Sequence, residues 1–222
     1  MTEKKLSGAG LRGQSAGETS LCTVGKTGAG LTYRGYGIET LADKAQFEEV
    51  AYLLLYGSLP KQDELDKYKA RLKEMRGLPA ELKSVLELIP KTAHPMDVMR
   101  TGCSMLGNLE TETEFSQQSD RIDRMLAIFP SIITYWYRYS HDGVRIETET
   151  EDDSIGGHFL NCLLGEKPSE LHEQVMNVSL ILYAEHEFNA STFTGRVCAS
   201  TLSDIHSAVT GAIGSLRGPL HG

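Results

Sequence analysis

Apolar residues that recur every three or four positions run through most of this chain and constrain its fold more than any other feature. The pattern starts near residue 46 and continues to about residue 216, and Gly or Pro ends several of its segments. Such spacing is typical of amphipathic helices that bury one face. Two of its stripes are Phe47, Val50, Ala51, Leu54 and Leu55, and then Leu65, Tyr68, Leu72 and Met75.

One short segment near the start has a different pattern. "SLCTVGKTGAGLTYRG" places short β-prone runs on either side of a glycine-rich turn, which predicts a small hairpin. Residues 1–20 are rich in Gly, Ser and Lys, and we expect them to form an irregular arm. Residues 21–222 should then form an all-α, mainly helical domain with one small N-terminal β-hairpin.

Capping residues and prolines predict where several helices begin. Pro95 suits the first position of a helix, with His94 before it as an N-cap. In the acidic loop "RIETETEDDS", the last Asp or Ser is expected to cap the helix "IGGHFLNCLLG". A long helix should run from Pro168 to about Phe188, and two more should follow it, separated near "TLSD".

The acidic balance of the chain excludes one large class of partner. With a formal charge of −8 and a pI near 5.4, it lacks the clustered Lys and Arg that an extended nucleic-acid surface needs. A small anionic substrate is compatible with this charge, because a few convergent positive groups can bind it. No segment approaches the roughly 18 apolar residues that span a bilayer, and "MTEKKLSGAG" lacks the apolar core of a signal peptide. We therefore expect a cytoplasmic protein without nucleic-acid or membrane partners.

The cysteines are widely scattered and none forms a CxxC pair. That spacing argues against structural zinc and, in a chain of this length, against a disulfide framework. The segment "HEFNA" also lacks the HExxH spacing that places two imidazoles on one helical face. A metal site is therefore not expected. The four cysteines are Cys22, Cys103, Cys162 and Cys198.

Two segments late in the chain concentrate the residues that can do chemistry. "YAEHEFNAST" carries His186, Glu187 and Asn189 near the end of a predicted helix, and "GPLHG" carries His221. Two helices separate the histidines, so an antiparallel return could bring both to one cleft. His186 can equally be an ordinary helix C-cap, since the helix dipole favours an imidazolium there. Four other histidines are expected to be surface or packing residues: His141, His158, His172 and His206.

Four motifs in consistent order resemble the citrate synthase family, and most closely its 2-methylcitrate synthase branch. They are "HPMDVMRTG", "DDSIGGHFL", "YAEHEFNASTF" and "RGPLHG", and the resemblance runs from about Thr19 to the last residue. It implies a nearly all-helical homodimer and a Claisen-type condensation of an acyl-CoA with oxaloacetate, followed by thioester hydrolysis. It also implies no metal and no further cofactor, because the acyl-CoA is itself a substrate.

The resemblance gives specific roles to residues of the two late segments. In this family the GPxHG histidine donates a hydrogen bond to the thioester oxygen as the enol forms, and that role falls on His221. The HExNAS histidine holds oxaloacetate, which falls on His186, with Asn189 as a second polar contact. A neutral imidazole suits the first role, because it can donate without adding a full charge.

The choice of propionyl-CoA over acetyl-CoA is a finer expectation of the same resemblance. One methyl group in a pocket is worth only about 1–3 kcal/mol of discrimination. Tyr183, one predicted helical turn before His186, is expected to line the acyl pocket, and core packing is its open alternative.

The family pattern continues after "GPLHG" with a second catalytic histidine, an aspartate base and arginines that grip oxaloacetate, none of which can be placed in this sequence. We therefore expect an incomplete large domain without a small domain, and a 222-residue chain that alone turns over neither substrate. A citrate synthase that uses acetyl-CoA is the first alternative. The second is a non-catalytic helical dimerisation module, which would have no need of His186 and His221 together.

Overall fold

The structure, a computed structural model, describes residues 16–25 and 30–221. Most of the predicted N-terminal arm, residues 1–15, lies outside the described residues, and residues 16–20 have neither helix nor strand. The proposed boundary at residue 20 therefore stays a prediction.

Helices form most of the described chain, which confirms the predicted fold class. A 3-10 turn at Phe115–Gln117 leads into the longest helix, and a π-helical turn at Arg138–Asp142 follows it. The helices are α1 (Ile38–Lys44), α2 (Phe47–Tyr56), α3 (Gln62–Glu74), α4 (Ala80–Glu87), α5 (Pro95–Leu109), α6 (Gln118–Tyr137), α7 (Ile155–Leu164), α8 (Glu170–Tyr183), α9 (Ala190–Ser200) and α10 (Ile205–Leu216).

The strands of the predicted hairpin are present as part of a three-stranded antiparallel sheet, whereas residues 26–29 of its glycine-rich turn lie outside the described residues. β1 (Cys22–Val24) pairs with β2 (Leu31–Tyr33), and β2 pairs with β3 (Tyr36–Gly37). Cys22 lies opposite Tyr33 in this register, and both side chains are buried. The sheet thus turns one face towards the helices, with these two residues as its contact points.

Two clusters of buried side chains hold the helices together. The first joins the sheet to α1, α2, α3 and α8, and the second joins α4, α5, α6 and α10. α6 contributes to both, through Ala127 and Ile128, and is the central helix. Fully buried members are Tyr33, Val50, Leu53 and Ile181 in the first cluster and Leu82, Leu86, Leu106 and Ile132 in the second. The ends of α8 and α10, where the candidate residues follow, are therefore anchored in packed core.

Two predicted helix starts are confirmed in detail. Pro95 occupies the first position of α5, and His94 Nδ1 accepts a hydrogen bond from Met96 N at 3.1 Å. Ser154 caps α7, since its Oγ accepts from Gly157 N at 2.9 Å. These contacts satisfy backbone N–H groups that have no partner inside the helix.

The predicted helix from Pro168 to Phe188 was too long at both ends. Ser169 is the N-cap of α8, and the helix ends at Tyr183. Glu187 has a φ of 58°, a left-handed conformation that a helix cannot contain. Residues 184–189 are instead a loop between α8 and α9, called here the His186 loop.

Candidate active site

His221 lies against the first turn of α9. Its Nε2 is 2.9 Å from Ser191 Oγ and accepts a hydrogen bond from Ser191 N at 3.2 Å. Because a backbone N–H can only donate, Nε2 is the accepting nitrogen and the neutral ring carries its proton on Nδ1. The ring is therefore held as one tautomer with an N–H that can donate to a ligand.

Asn189 connects this histidine to the helix start. Its Oδ1 caps α9 by accepting from Thr192 N at 2.9 Å, and it also accepts from Ser191 Oγ at 2.7 Å. A helix N-terminus carries partial positive charge and favours anions. Asn189, Ser191 and His221 thus form one hydrogen-bonded group at the positive end of α9.

The antiparallel packing of the last two helices brings the group together. α9 and α10 pack against each other, and Thr194 Oγ1 lies 2.6 Å from Ser215 Oγ near the end of α10. The chain after α10 therefore returns to the start of α9, where His221 meets Ser191. Sequence patterns predicted this return for the histidines but gave no role to Ser191, since a serine in a first helical turn is common.

His186 lies in the loop three residues before Asn189, and its side chain is exposed. It is not a helix C-cap, because Ala184 holds that position at the end of α8. Farther along the loop, the Phe188 ring lies 4.8 Å from the Arg196 guanidinium, which places a positive charge beside the loop. The loop thus places an imidazole next to the anion-favouring end of α9.

Tyr183 is the last residue of α8 and is 90% exposed. Because α8 stops there, the helical spacing that related Tyr183 to His186 does not apply. The exposure of the ring also removes core packing against the described residues as its role. A pocket wall at Tyr183 stays a prediction and needs other protein to cover the ring.

The remaining histidines have the structural roles predicted for them. His141 and His172 are exposed, whereas His158 and His206 are buried. Burial, together with the nearby Arg76 guanidinium, lowers the pKa of His158 to about 4. Burial likewise lowers the pKa of His206. Both rings therefore pack as neutral groups inside the helical core.

The described residues contain no group of three or more His, Cys, Asp or Glu side chains placed to hold a metal ion. Within the same residues, no helix is both long and apolar enough to cross a bilayer. An apolar pocket of about 340 Å³ lies between α2, α5, α6, α7 and α8. None of His186, Asn189 or His221 lines it, so it is separate from the candidate site.

Comparison with known proteins gives a consistent answer. The family model "Citrate synthase, C-terminal domain" matches residues 10–222. The chain is 74% identical over 219 residues to 2-methylcitrate synthase of Shewanella oneidensis, covering 99% of this chain and 58% of that protein. It is 39% identical to citrate synthase of Heyndrickxia coagulans, covering 96% of this chain and 58% of that protein.

A solved structure shows the same fold. It is the ternary complex of citrate synthase from Thermoplasma acidophilum with carboxymethyl coenzyme A and oxaloacetate. The two superpose with a TM-score of 0.86 at 32% identity, over 93% of this chain and 55% of that one. The chain thus spans a little over half the length of the relatives it matches. The motifs, the helical fold and the family match agree: this chain belongs to the citrate synthase family.

Proposed function

We propose that this chain is part of a 2-methylcitrate synthase, which condenses propionyl-CoA with oxaloacetate and water to give 2-methylcitrate and CoA. The observation that carries the proposal is the 74% identity to the Shewanella relative over almost the whole chain. Identity of that size over almost the whole chain supports a shared reaction.

In the proposed reaction the α-carbon of propionyl-CoA loses a proton, and the resulting enol carbon attacks the keto carbon of oxaloacetate. Water then hydrolyses the thioester and releases CoA. His221 donates its Nδ1–H to the oxygen that gains charge as the enol forms. The bond from Ser191 N to Nε2 supports this role, because it fixes the tautomer. The resemblance assigns proton removal to the aspartate that follows "GPLHG" in the family pattern.

Oxaloacetate is a dianion, and the proposed binding group suits it. His186 and Asn189 hold it beside the N-terminus of α9, whose partial positive charge favours carboxylates. Tyr183 is proposed as a wall of the acyl pocket once further protein covers its exposed ring.

The partners and setting follow from the same family membership. We propose a homodimer in the cytoplasm that acts in propionate catabolism and uses no metal or further cofactor. Sedimentation of the full-length gene product would give twice the subunit mass if the dimer is correct.

A citrate synthase that prefers acetyl-CoA is the second candidate, and the Heyndrickxia relative favours it at 39% identity. The test is CoA release by the full-length product of the gene that encodes this chain, with oxaloacetate and either propionyl-CoA or acetyl-CoA. We expect kcat/KM to be higher for propionyl-CoA, by roughly tenfold or more for one methyl group. Equal values or a preference for acetyl-CoA would favour the second candidate, and no turnover of either would favour the non-catalytic module.

Substitution of His221 tests the assigned chemistry. We expect His221→Ala to lower kcat by roughly 10²–10³, the usual cost of losing a donor to a developing oxyanion. The matched control is His172→Ala, which removes an exposed imidazole of α8 and should leave kcat within about twofold. A His221→Ala enzyme with wild-type kcat would contradict the proposed role.

A further inference from the structure

The His186 loop is tied to the N-terminal sheet on both sides of His186. Glu187 N donates to Cys22 Sγ at 3.0 Å, and Glu185 N donates to the Tyr33 hydroxyl at 3.3 Å. The two anchors lie in β1 and β2, more than 150 positions earlier in the sequence. The residues that flank His186 are therefore held, while its own side chain stays exposed.

Each anchor is buried and uses both its donor and its acceptor capacity. Tyr33 is fully buried, and its hydroxyl donates to Ile181 O at 2.9 Å in the last turn of α8. Cys22 is 3% exposed, and its thiol lies 3.5 Å from Glu185 Oε1, to which it donates. A buried group with its hydrogen bonds satisfied has a well-defined position. The anchors are thus rigid parts of the first core cluster.

The acid–base state of Cys22 fits this double role. Burial raises the pKa of its thiol to about 11, so the sulfur keeps its proton at neutral pH. It can therefore donate to the Glu185 carboxylate and accept from the Glu187 amide at once. A second strand contact runs alongside, because Val24 N donates to Glu187 Oε1 at 3.3 Å.

The conformation of Glu187 needs such support. Its φ of 58° is uncommon for a residue other than glycine. Backbone of this kind persists where surrounding contacts hold it, and it gathers at binding sites. Without the bonds to Cys22 and Val24, the loop would have other conformations available, and the direction of the His186 side chain would vary with them.

We propose that Cys22 and Tyr33 are positioning residues that hold His186 in the conformation that binds oxaloacetate. The inference rests on the proposed binding role of His186. It assigns the small sheet a function in substrate binding, although neither anchor contacts the substrate.

Steady-state kinetics of the full-length gene product test the proposal. We expect Cys22→Ala and Tyr33→Phe each to raise KM for oxaloacetate about five- to tenfold, the equivalent of one lost hydrogen bond, with KM for the acyl-CoA within about twofold. Cys22→Ser keeps a donor and an acceptor, so its KM for oxaloacetate should be close to the wild-type value. The matched control is Cys103→Ala, which truncates an equally buried cysteine in the second core cluster and should leave KM for oxaloacetate unchanged.

Amide hydrogen exchange on the same variants measures how firmly the backbone of the His186 loop is held, independently of catalysis. We expect the Glu187 amide to exchange about fivefold or more faster in Cys22→Ala, and the Glu185 amide likewise in Tyr33→Phe, with no change in Cys103→Ala. Unchanged exchange would overturn the proposal. A raised KM for Cys103→Ala equal to that for Cys22→Ala would also overturn it, since general destabilisation would then explain both.

His186→Ala separates this inference from the proposed function. If it raises KM for oxaloacetate while Cys22→Ala and Tyr33→Phe do not, the role of His186 stands and the positioning role is wrong. If His186→Ala leaves KM for oxaloacetate unchanged, the proposed binding role of His186 fails, and the positioning role fails with it.

Discussion

The buried histidine of α7 makes folding stability depend on pH in a way that can be worked out from its contacts. His158 Nε2 is 2.9 Å from Ser131 Oγ, whose own proton goes to Arg76 O at 2.6 Å, so Nε2 donates. His158 Nδ1 is 2.9 Å from Thr150 Oγ1. That hydroxyl accepts from Arg76 Nη1 at 3.2 Å, so it can give its proton to Nδ1. The ring is therefore bound as a neutral Nε2–H tautomer.

Burial disfavours the charged form of this ring, and protonation would also place a second positive charge beside the buried Arg76 guanidinium. Asp152 offsets the repulsion only in part, and the pKa of His158 falls from its ordinary value of 6.5 to about 4. Between those values the unfolded chain binds more protons than the folded chain, so stability falls as the pH falls. The full effect is about 3 kcal/mol, of which about 2 kcal/mol is lost between pH 7 and pH 5.

Urea unfolding followed by tryptophan fluorescence measures this loss, because Trp136 is the single tryptophan and is 2% exposed. The free energy of unfolding should be compared between wild type and His158→Gln at several pH values, which cancels the other titrating groups. The difference in free energy of unfolding, wild type minus His158→Gln, should fall by about 2 kcal/mol from pH 7 to pH 5. His158→Asn, which also cannot titrate, should show the same pH trend. A difference in free energy of unfolding that stays constant within about 0.5 kcal/mol between pH 7 and pH 5 would refute the reasoning.

Two further predictions concern packing and capping, both measured by urea unfolding at pH 7. A Cβ at Gly102 would lie 2.6 Å from Ile132 Cγ2. Gly102→Ala should therefore lower the free energy of unfolding by about 1–3 kcal/mol through overpacking of α5 on α6. An unchanged or higher stability would mean that the two helices can move apart without cost. Ser154→Ala removes the cap of Gly157 N and should cost about 1 kcal/mol. Its control, Ser84→Ala on the exposed face of α4, should stay within about 0.5 kcal/mol, and equal losses in the two variants would contradict the capping argument.

Much of the fold could be predicted because its signals are local. Apolar spacing marks a buried helical face, and Ser154 or Pro95 marks a helix start, through physics that acts within a few residues. The end of α8 was predicted wrongly for the opposite reason. Past Tyr183 the chain is held by Glu185 N and Glu187 N, which donate to Tyr33 and Cys22 of the sheet, and contacts over that separation leave no trace in local periodicity.

The residues of the candidate site also divide into those with a local signal in the sequence and those that depend on distant contacts. His221 and Asn189 could be named as candidates because imidazole and amide groups in unusual positions are visible in the sequence, and the family resemblance supplied their proposed roles. Ser191 was missed, since its bond to His221 exists only after α10 has folded back along α9. Tyr183 was related to His186 by a helical spacing that does not survive, because the helix ends between them.

The sheet's bonds to the His186 loop also have a consequence for the order of assembly. Cys22 and Glu187 are separated by 165 positions, and closing a loop of that length costs entropy before any contact rewards it. During synthesis at about 5–20 residues per second, strand β1 leaves the ribosome well before its partner loop exists. The helices between them can form first, because they pack against helices that are near in the sequence. The segment that carries His186 is therefore among the last parts of the described chain to reach its final shape, and a refolding experiment should see it appear after the helices.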